Sequence, residues 1–319
     1  MKATRDWFGD GLVDVAAKHE NVVVVNCDLA SATKTSKFKE AYPDRFFEVG
    51  IAEANGIGVA AGMAQDGFRP FVASFGHFLT GKFLEIFQSV GLNDSGVVLV
   101  GTHAGLAIGK DGPTQMGLRD LALMRTLHNV EVLQPADGVE TRKMLEHVVS
   151  HDRPTYLRLC RQPQREVHDE DYRFQFGHPD VVRPGEDVVI FTMGGMVPVV
   201  LDAVDVLADT GLRPTVVNAS SLPMDHEATN ELLGAYRHVL VFEDHFVKGG
   251  LIDEVGRIVL DLDRHLRFHA WGVDDYGQAA SPEELYERYE LDATGVANRI
   301  RVATSAASAD SDRGKDTQR

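Results

Sequence analysis

The segment FFEVGIAEANGIGVAAGMA, residues 46–64, places one acid, Glu53, where a short apolar approach turns into a run of glycine and alanine. A carboxylate in the first turn of a helix gains about 0.3–1 kcal/mol from the helix dipole, so Glu53 taken alone is an ordinary helix-start residue. The small residues around it, Gly56, Gly58, Ala60, Ala61 and Gly62, permit close approach by a neighbouring element or subunit that would bury the acid. A carboxyl group shut away from water in this manner can act as a proton donor or acceptor. The second chemical segment, residues 101–138, reads GTHAGLAIGKDGPTQMGLRDLALMRTLHNVEVLQPADG. His103 follows an apolar run there, and open α/β sheets place their ligands beyond the carboxyl ends of strands. A loop histidine is more often simply solvated, but in that position it can hydrogen-bond substrate oxygens or move a proton near neutral pH.

These residues need a scaffold, and the hydrophobic pattern supplies one. Short β-branched runs at 22–26, 71–74, 97–101, 130–133 and 155–159 predict buried strands, and the stretches between them at 52–64, 82–92, 117–125 and 138–150 have helical period. Strands alternating with helices predict an α/β domain built on a parallel sheet over residues 1–165. The stretch 162–185 is polar, contains Pro163, Pro179 and Pro184 and lacks periodicity, which marks residues 166–185 as an interdomain connection. A second α/β domain is predicted over 186–302, with strands at 187–192, 214–218, 238–242 and 267–270 and helices near 198–209 and 251–260. Residues 303–319 have almost no apolar content and predict a disordered tail.

At this point the two chemical segments show a resemblance. Residues 46–64 resemble the pyrimidine-domain motif of the transketolase family, and residues 101–138 resemble the same family throughout. The resemblance implies that Glu53 faces the aminopyrimidine ring of thiamine diphosphate and exchanges the proton that activates the thiazolium carbon, the cofactor carrying the carbon chemistry. It implies that His103 and Asp111 face the substrate. In ASFGHFL, Phe75 and Phe78 resemble the aromatic pair lining the pyrimidine pocket, where offset stacking is worth roughly 0.5–1.5 kcal/mol beyond burial. In NCDLAS, Asp28 matches an acid near the cofactor; in ATRDWF and LRLCRQPQ, Arg5 and Arg161 match two arginines that bind the substrate phosphate. Arg158 is the weaker choice, since it falls within a strand. The Gly249-Gly250 pair in VFEDHFVKGGLIDEV resembles the family's C-terminal domain and reads as tight packing rather than an anion cradle.

The match covers about residues 3–300 and only the pyrimidine and C-terminal domains. Family members hold the cofactor diphosphate through a metal bound by Gly-Asp-Gly and a later Asn. Gly9-Asp10-Gly11 imitates that motif, but no strand precedes it, and Asn26 comes too soon. The resemblance therefore implies a partner subunit, the N-terminal half of the enzyme, carrying the diphosphate and Mg2+ or Ca2+, in an α2β2 heterotetramer. It implies no metal ligands in this chain. Gln115 stands where the family commonly has His, Gly81 replaces an aromatic and Lys110 an acid, so the resemblance does not carry over the ordinary sugar preference. Ketol transfer between sugar phosphates is the reading preferred over a deoxyxylulose-phosphate-synthase-like subunit, a 2-oxo-acid-dehydrogenase β-like subunit or a non-catalytic regulatory subunit.

Composition removes other classes. The 48 acidic against 32 basic residues give a formal net charge of −16, which repels nucleic acid phosphates over most of the surface. No long uncharged run predicts a membrane span, and the N-terminal MKATRDWFGDGL turns charged before a signal-peptide core develops, so a cytoplasmic location is expected. Cys27 and Cys160 are too few and too far apart for a disulfide scaffold, and neither is assigned a role.

Overall fold

The computed structural model describes residues 1–186 and 188–313. Its first domain is a seven-stranded sheet in the order Ser221–Leu222, Glu131–Leu133, Thr155–Arg158, Val98–Thr102, Arg69–Phe75, Val22–Asn26, Phe46–Glu48. All neighbours run parallel except Ser221–Leu222, which pairs antiparallel with Glu131–Leu133. The central strands are apolar along their length because helices cover both faces. On one face Phe8 and Leu12 of the helix Thr4–Ala16 and Leu145 of the helix Gly138–Val148 meet Val24, Phe71 and Val100. On the other, Ile57, Ala60 and Ala61 of the helix Glu53–Gln65 meet Val25, Val72 and Leu99. Each fully buried Phe, Leu or Ile contributes about 1.5–3 kcal/mol relative to exposure, so the alternation of strand and helix is held by burial on two sides.

The second domain is a five-stranded sheet ordered Arg267–Val273, His238–Phe246, Val189–Thr192, Thr215–Asn218, Asp180–Arg183, the last antiparallel to its neighbour. Two differences from the sequence reading follow. Asp180–Arg183 falls in the stretch read as connection, because its short alternating pattern is hidden between Pro179 and Pro184. The helix Ala293–Arg313 runs through much of the expected disordered tail: Ile300 and Ala303 pack on the second core, and alanine-rich sequence favours helix once such an anchor exists. The rest of that tail, 314–319, lies outside the described residues. The Ser221–Leu222 strand was not legible, being a two-residue loan from the second domain to the first domain's sheet. His168 fastens the connection as well, its two ring nitrogens each 2.9 Å from a carboxylate, Asp137 on one side and Asp180 on the other.

Among the described residues no helix is long and apolar enough to cross a membrane.

Candidate active site

The carboxyl ends of the parallel strands form one edge, and most of the residues singled out from the sequence lie along it. Asp28 follows Val22–Asn26, Glu53 follows Phe46–Glu48, Phe75 ends Arg69–Phe75, His103 follows Val98–Thr102, and Arg161 follows Thr155–Arg158. Arg5 comes from the start of the chain and reaches this edge through backbone pairing. Lys2 and Ala3 pair antiparallel with Gln164 and Pro163, Thr4 Oγ1 accepts from the Cys160 amide at 2.9 Å, and the Arg5 amide donates to the Cys160 carbonyl. The first helix is thereby tied to the chain just beyond the last parallel strand, which brings Arg5 and Arg161 into each other's field.

Arg5 Nη1 donates to the Ala32 carbonyl at 3.1 Å and to His103 Nε2 at 2.6 Å. A guanidinium has no lone pair to offer, so Nε2 is the acceptor and the imidazole proton lies on Nδ1, which faces Thr102 Oγ1 at 2.9 Å. Thr102 passes the chain on to the Ser74 carbonyl. Burial, and then the charges of Arg5, Arg161 and Lys34, push the His103 imidazole down to about 3. As held here, His103 is a neutral imidazole that accepts from Arg5. Its ring is 97% buried and backed by Phe75 at a centroid distance of 4.0 Å. Because the folded value lies below the ordinary 6.5, the unfolded chain takes up this proton first, and the contribution to stability is lost as pH falls from about 6.5 toward 3. The His103 ring signal in an NMR titration is expected to stay flat from pH 8 down to 5, while exposed histidines shift; a midpoint near 6.5 would contradict the arrangement.

Glu53 opens the helix Glu53–Gln65 and is 93% buried. Ser74 Oγ donates to its Oε1 at 2.9 Å, and among the described residues no hydrogen bond reaches Oε2. The glycines divide by face. Gly56 packs inward, where an added Cβ would stand 3.1 Å from Cys27 Sγ, whereas Gly58 and Gly62, one turn apart, look into open space. Phe47, Ile51, Leu84 and Phe87 are exposed apolar side chains of the same domain. Burial and the neighbouring Glu53 and Glu48 carboxylates push the Cys27 thiol up to about 12, which leaves it an inert packing group. Phe75 and Phe78 stack on one another at 5.4 Å with planes 15° apart.

The other expected residues are placed as follows. Asp28 is exposed at the edge with φ +58, its amide donating to Glu48 Oε1 at 2.8 Å. Asp111 is exposed and 3.7 Å from Arg161, whose Nη1 also donates to the Ile108 carbonyl. Gln115 is half-buried in the same loop, its backbone N–H donating to the Gly112 carbonyl. Gly9-Asp10-Gly11 lies within the helix Thr4–Ala16: Cβ atoms on the two glycines would collide with Lys34 and Leu145, and Asp10 pairs with Lys2 and Lys37. At Gly250 an added Cβ would stand 2.0 Å from Glu243 Oε2, and that carboxylate already accepts the Leu251 amide, so the glycine pair serves packing. Arg158 is buried against Asp120, with Nη2 donating to the carbonyls of Gly117 and Asp244.

Sequence reasoning did not find the second domain's hold on the His103 loop. Asp244 Oδ1 accepts the Leu106 amide at 2.8 Å, and Tyr286 donates to Asp244 Oδ2 at 2.6 Å. Gly105 has φ +74 and would place a Cβ 1.9 Å from Asp244, so both backbone conformation and space require glycine there. Glu48 was missed too: it gathers Asn26 Nδ2 at 2.5 Å and the amides of Asp28 and Gly50. The close run of Asn26, Asp28, Glu48 and Gly50 at two strand ends was the available signal.

A parallel sheet whose carboxyl edge gathers the candidate residues, capped by a second α/β unit that pins its loops, defines the class as a two-domain α/β protein. Residues 1–166 match the model of the transketolase pyrimidine-binding domain and residues 177–296 that of the transketolase C-terminal domain, and the chain belongs to the transketolase family. It is 32% identical over 304 residues to a protein described as a transketolase C-terminal section from Methanocaldococcus jannaschii, covering 94% of this chain and 95% of that one. It is 33% identical to 1-deoxy-D-xylulose-5-phosphate synthase 2 of Geobacter sulfurreducens, of whose length it spans 48%. Among solved structures, a split-gene transketolase described as an inactive β4 tetramer superposes with a TM-score of 0.88 at 35% identity, over 96% of this chain and 99% of that one. The transketolase of Campylobacter jejuni shares the fold with a TM-score of 0.80 at 21% identity, over 94% of this chain and 46% of its own.

Proposed function

We propose that this chain is the pyrimidine-side subunit of a split, thiamine-diphosphate-dependent transketolase, and that a separate N-terminal-half subunit supplies the diphosphate site with its Mg2+ or Ca2+. The observation that carries the reading is the buried Glu53, with Ser74 on one carboxylate oxygen and the other left without a hydrogen bond, close in the fold to the Phe75–Phe78 pair. That set suits an aromatic ring with a nitrogen to protonate. When bound, the cofactor supplies a carbon nucleophile for breaking and making bonds next to a ketone. Glu53 holds and moves the proton at Oε2. Phe75 and Phe78 exclude water and orient the ring by stacking. His103, Gln115 and Asp111 face the substrate, and Arg5 with Arg161 holds its phosphate; Asp28 sits at the cofactor edge.

Support for the partner comes from the near-complete coverage of a split-gene transketolase chain and of a C-terminal section, together with the open face at Gly58 and Gly62. The assembly proposed is α2β2, acting in the cytoplasm. Calorimetry is the test: the purified chain is expected to bind thiamine diphosphate weakly or not at all, and tight magnesium-dependent binding to this chain alone would overturn the split reading. A second reading is favoured by the 31–33% identity to several deoxyxylulose-phosphate synthases. Mass spectrometry of the products of the reconstituted enzyme separates the two: ketol transfer between a ketose and an aldose phosphate supports the first, deoxyxylulose phosphate the second.

A further inference from the structure

At the opposite edge of the first sheet, three side chains point their ligand atoms at one another. Glu131 is the first residue of the strand Glu131–Leu133, His147 lies in the last turn of the helix Gly138–Val148, and His151 is on the loop that leads to the strand Thr155–Arg158. Glu131 Oε2 is 3.0 Å from His147 Nε2 and 3.2 Å from His151 Nε2, and the two ring nitrogens are 3.1 Å apart. The Glu131 side chain is 6% exposed and those of His147 and His151 are 24% and 21% exposed. From these contacts we infer a binding site for one divalent transition-metal ion of the zinc class, built from Glu131, His147 and His151.

Protons alone do not satisfy this triangle. The Arg153 amide donates to His151 Nδ1 at 3.1 Å, which places that ring's proton on Nε2. If His147 also carries its proton on Nε2, both rings donate to Glu131 but two N–H groups face each other. If His147 carries it on Nδ1, His151 can donate to His147, but a lone pair of His147 then faces the carboxylate. With Glu131 ionised, one of the three contacts is unfavourable in either case, and a cation among them gives each of the three groups a bond.

The spacing suits such an ion. Bonds of about 2.0–2.1 Å to nitrogen and oxygen set neighbouring ligand atoms about 3.3 Å apart in a tetrahedron and about 2.9 Å apart on an octahedral face, and the observed edges fall between. Two imidazoles and one carboxylate suit zinc and its neighbours rather than magnesium or calcium, which prefer oxygen. The surroundings hold the ligands in place. Arg153 Nη1 faces the other carboxylate oxygen, Oε1, at 3.6 Å, leaving Oε2 for the ion. Phe174 packs edge-on against the His147 ring and Phe176 lies parallel to it. Binding requires His151 to move its proton from Nε2 to Nδ1, so the exposed Arg153 amide must turn to water. Arg69 also acts electrostatically on Glu131, so the pocket is not purely anionic.

The ion would clip the loop after the helix to the start of a strand. Glu131 lies at the amino end of the parallel strands, away from the carboxyl edge and its candidate residues, so this site does not rest on the proposed activity. The test uses the full chain stripped with chelator, with Zn2+ as probe. One equivalent is expected to bind with a dissociation constant at or below about 10 µM and, at a hundredfold excess over that constant, to raise the melting temperature by about 5 °C. His151→Gln, on the loop, should weaken binding by about 100-fold with an unchanged circular-dichroism spectrum, and His147→Gln likewise. Co2+ in place of zinc should give visible absorption of a nitrogen–oxygen site that both variants lose. Absence of binding at 100-fold higher Zn2+, or binding and absorption that persist in the double variant, would overturn the site.

Discussion

Glu53→Gln is expected to lower turnover of the reconstituted enzyme by about 10²–10⁴-fold, the usual contribution of a positioned acid or base, while leaving fold and subunit assembly intact. The two effects separate because their magnitudes differ. Glutamine can still accept the Ser74 Oγ hydrogen bond that Glu53 Oε1 takes at 2.9 Å, and it fills the same volume. The stability at risk is chiefly the charge at the start of the helix Glu53–Gln65, worth about 0.3–1 kcal/mol. What the amide does not do is exchange a proton at the position of Oε2. Hydrogen–deuterium exchange at the thiazolium carbon of bound cofactor reads that step directly, apart from substrate binding and product release. Exchange at the wild-type rate in the variant would make Glu53 a packing residue and remove the central element of the proposed mechanism.

The sequence revealed the first sheet well because its strands are buried on both faces and its helices are amphipathic or small. Val22–Asn26 is a run of four valines closed by Asn26, and its bounds are those predicted. The candidate edge was visible only through resemblance. Glu53, His103 and Arg5, read by type and spacing, have ordinary explanations as a helix start, a solvated loop histidine and a surface arginine. What brings Arg5 to His103 is the two-residue pairing of Lys2–Ala3 with Pro163–Gln164, some 160 positions away, and two-residue pairings leave no periodicity to read. The same holds for Ser221–Leu222, and for Asp244 on the Leu106 amide, which exist only once two domains have docked. The environment of His103 was hidden for a related reason: a histidine's own sequence neighbours do not disclose an arginine 98 residues away that lowers its affinity for a proton.

Arg161→Ala is expected to raise the Michaelis constant for phosphorylated sugars by about 10–100-fold and to change that for their unphosphorylated analogues little, since a charge-assisted hydrogen bond contributes about 1.5–3 kcal/mol. The present partners of the two arginines leave room for a stronger one. Arg161 meets Asp111 at 3.7 Å, and both side chains are nearly half exposed, so that pair is worth about 0–1 kcal/mol and a phosphate dianion can displace it. Arg5 gives Nη1 to a neutral imidazole and a carbonyl rather than to an anion, and its buried Nε has no hydrogen-bond partner. Burial lowers the proton affinity of Arg5, Asp6 works against that, and the nearby Arg161 lowers it further. An anion between the two guanidiniums would relieve their repulsion and supply the missing acceptor. The same anion would offset the positive field on His103, so Arg161→Ala should also weaken the response of the His103 NMR signal to added sugar phosphate. Arg5→Ala should repeat the selective rise in Michaelis constant, with an added cost from the His103 Nε2 left without its donor. Equal rises for phosphorylated and unphosphorylated substrates in both variants would show that the arginines shape the edge without reading the phosphate.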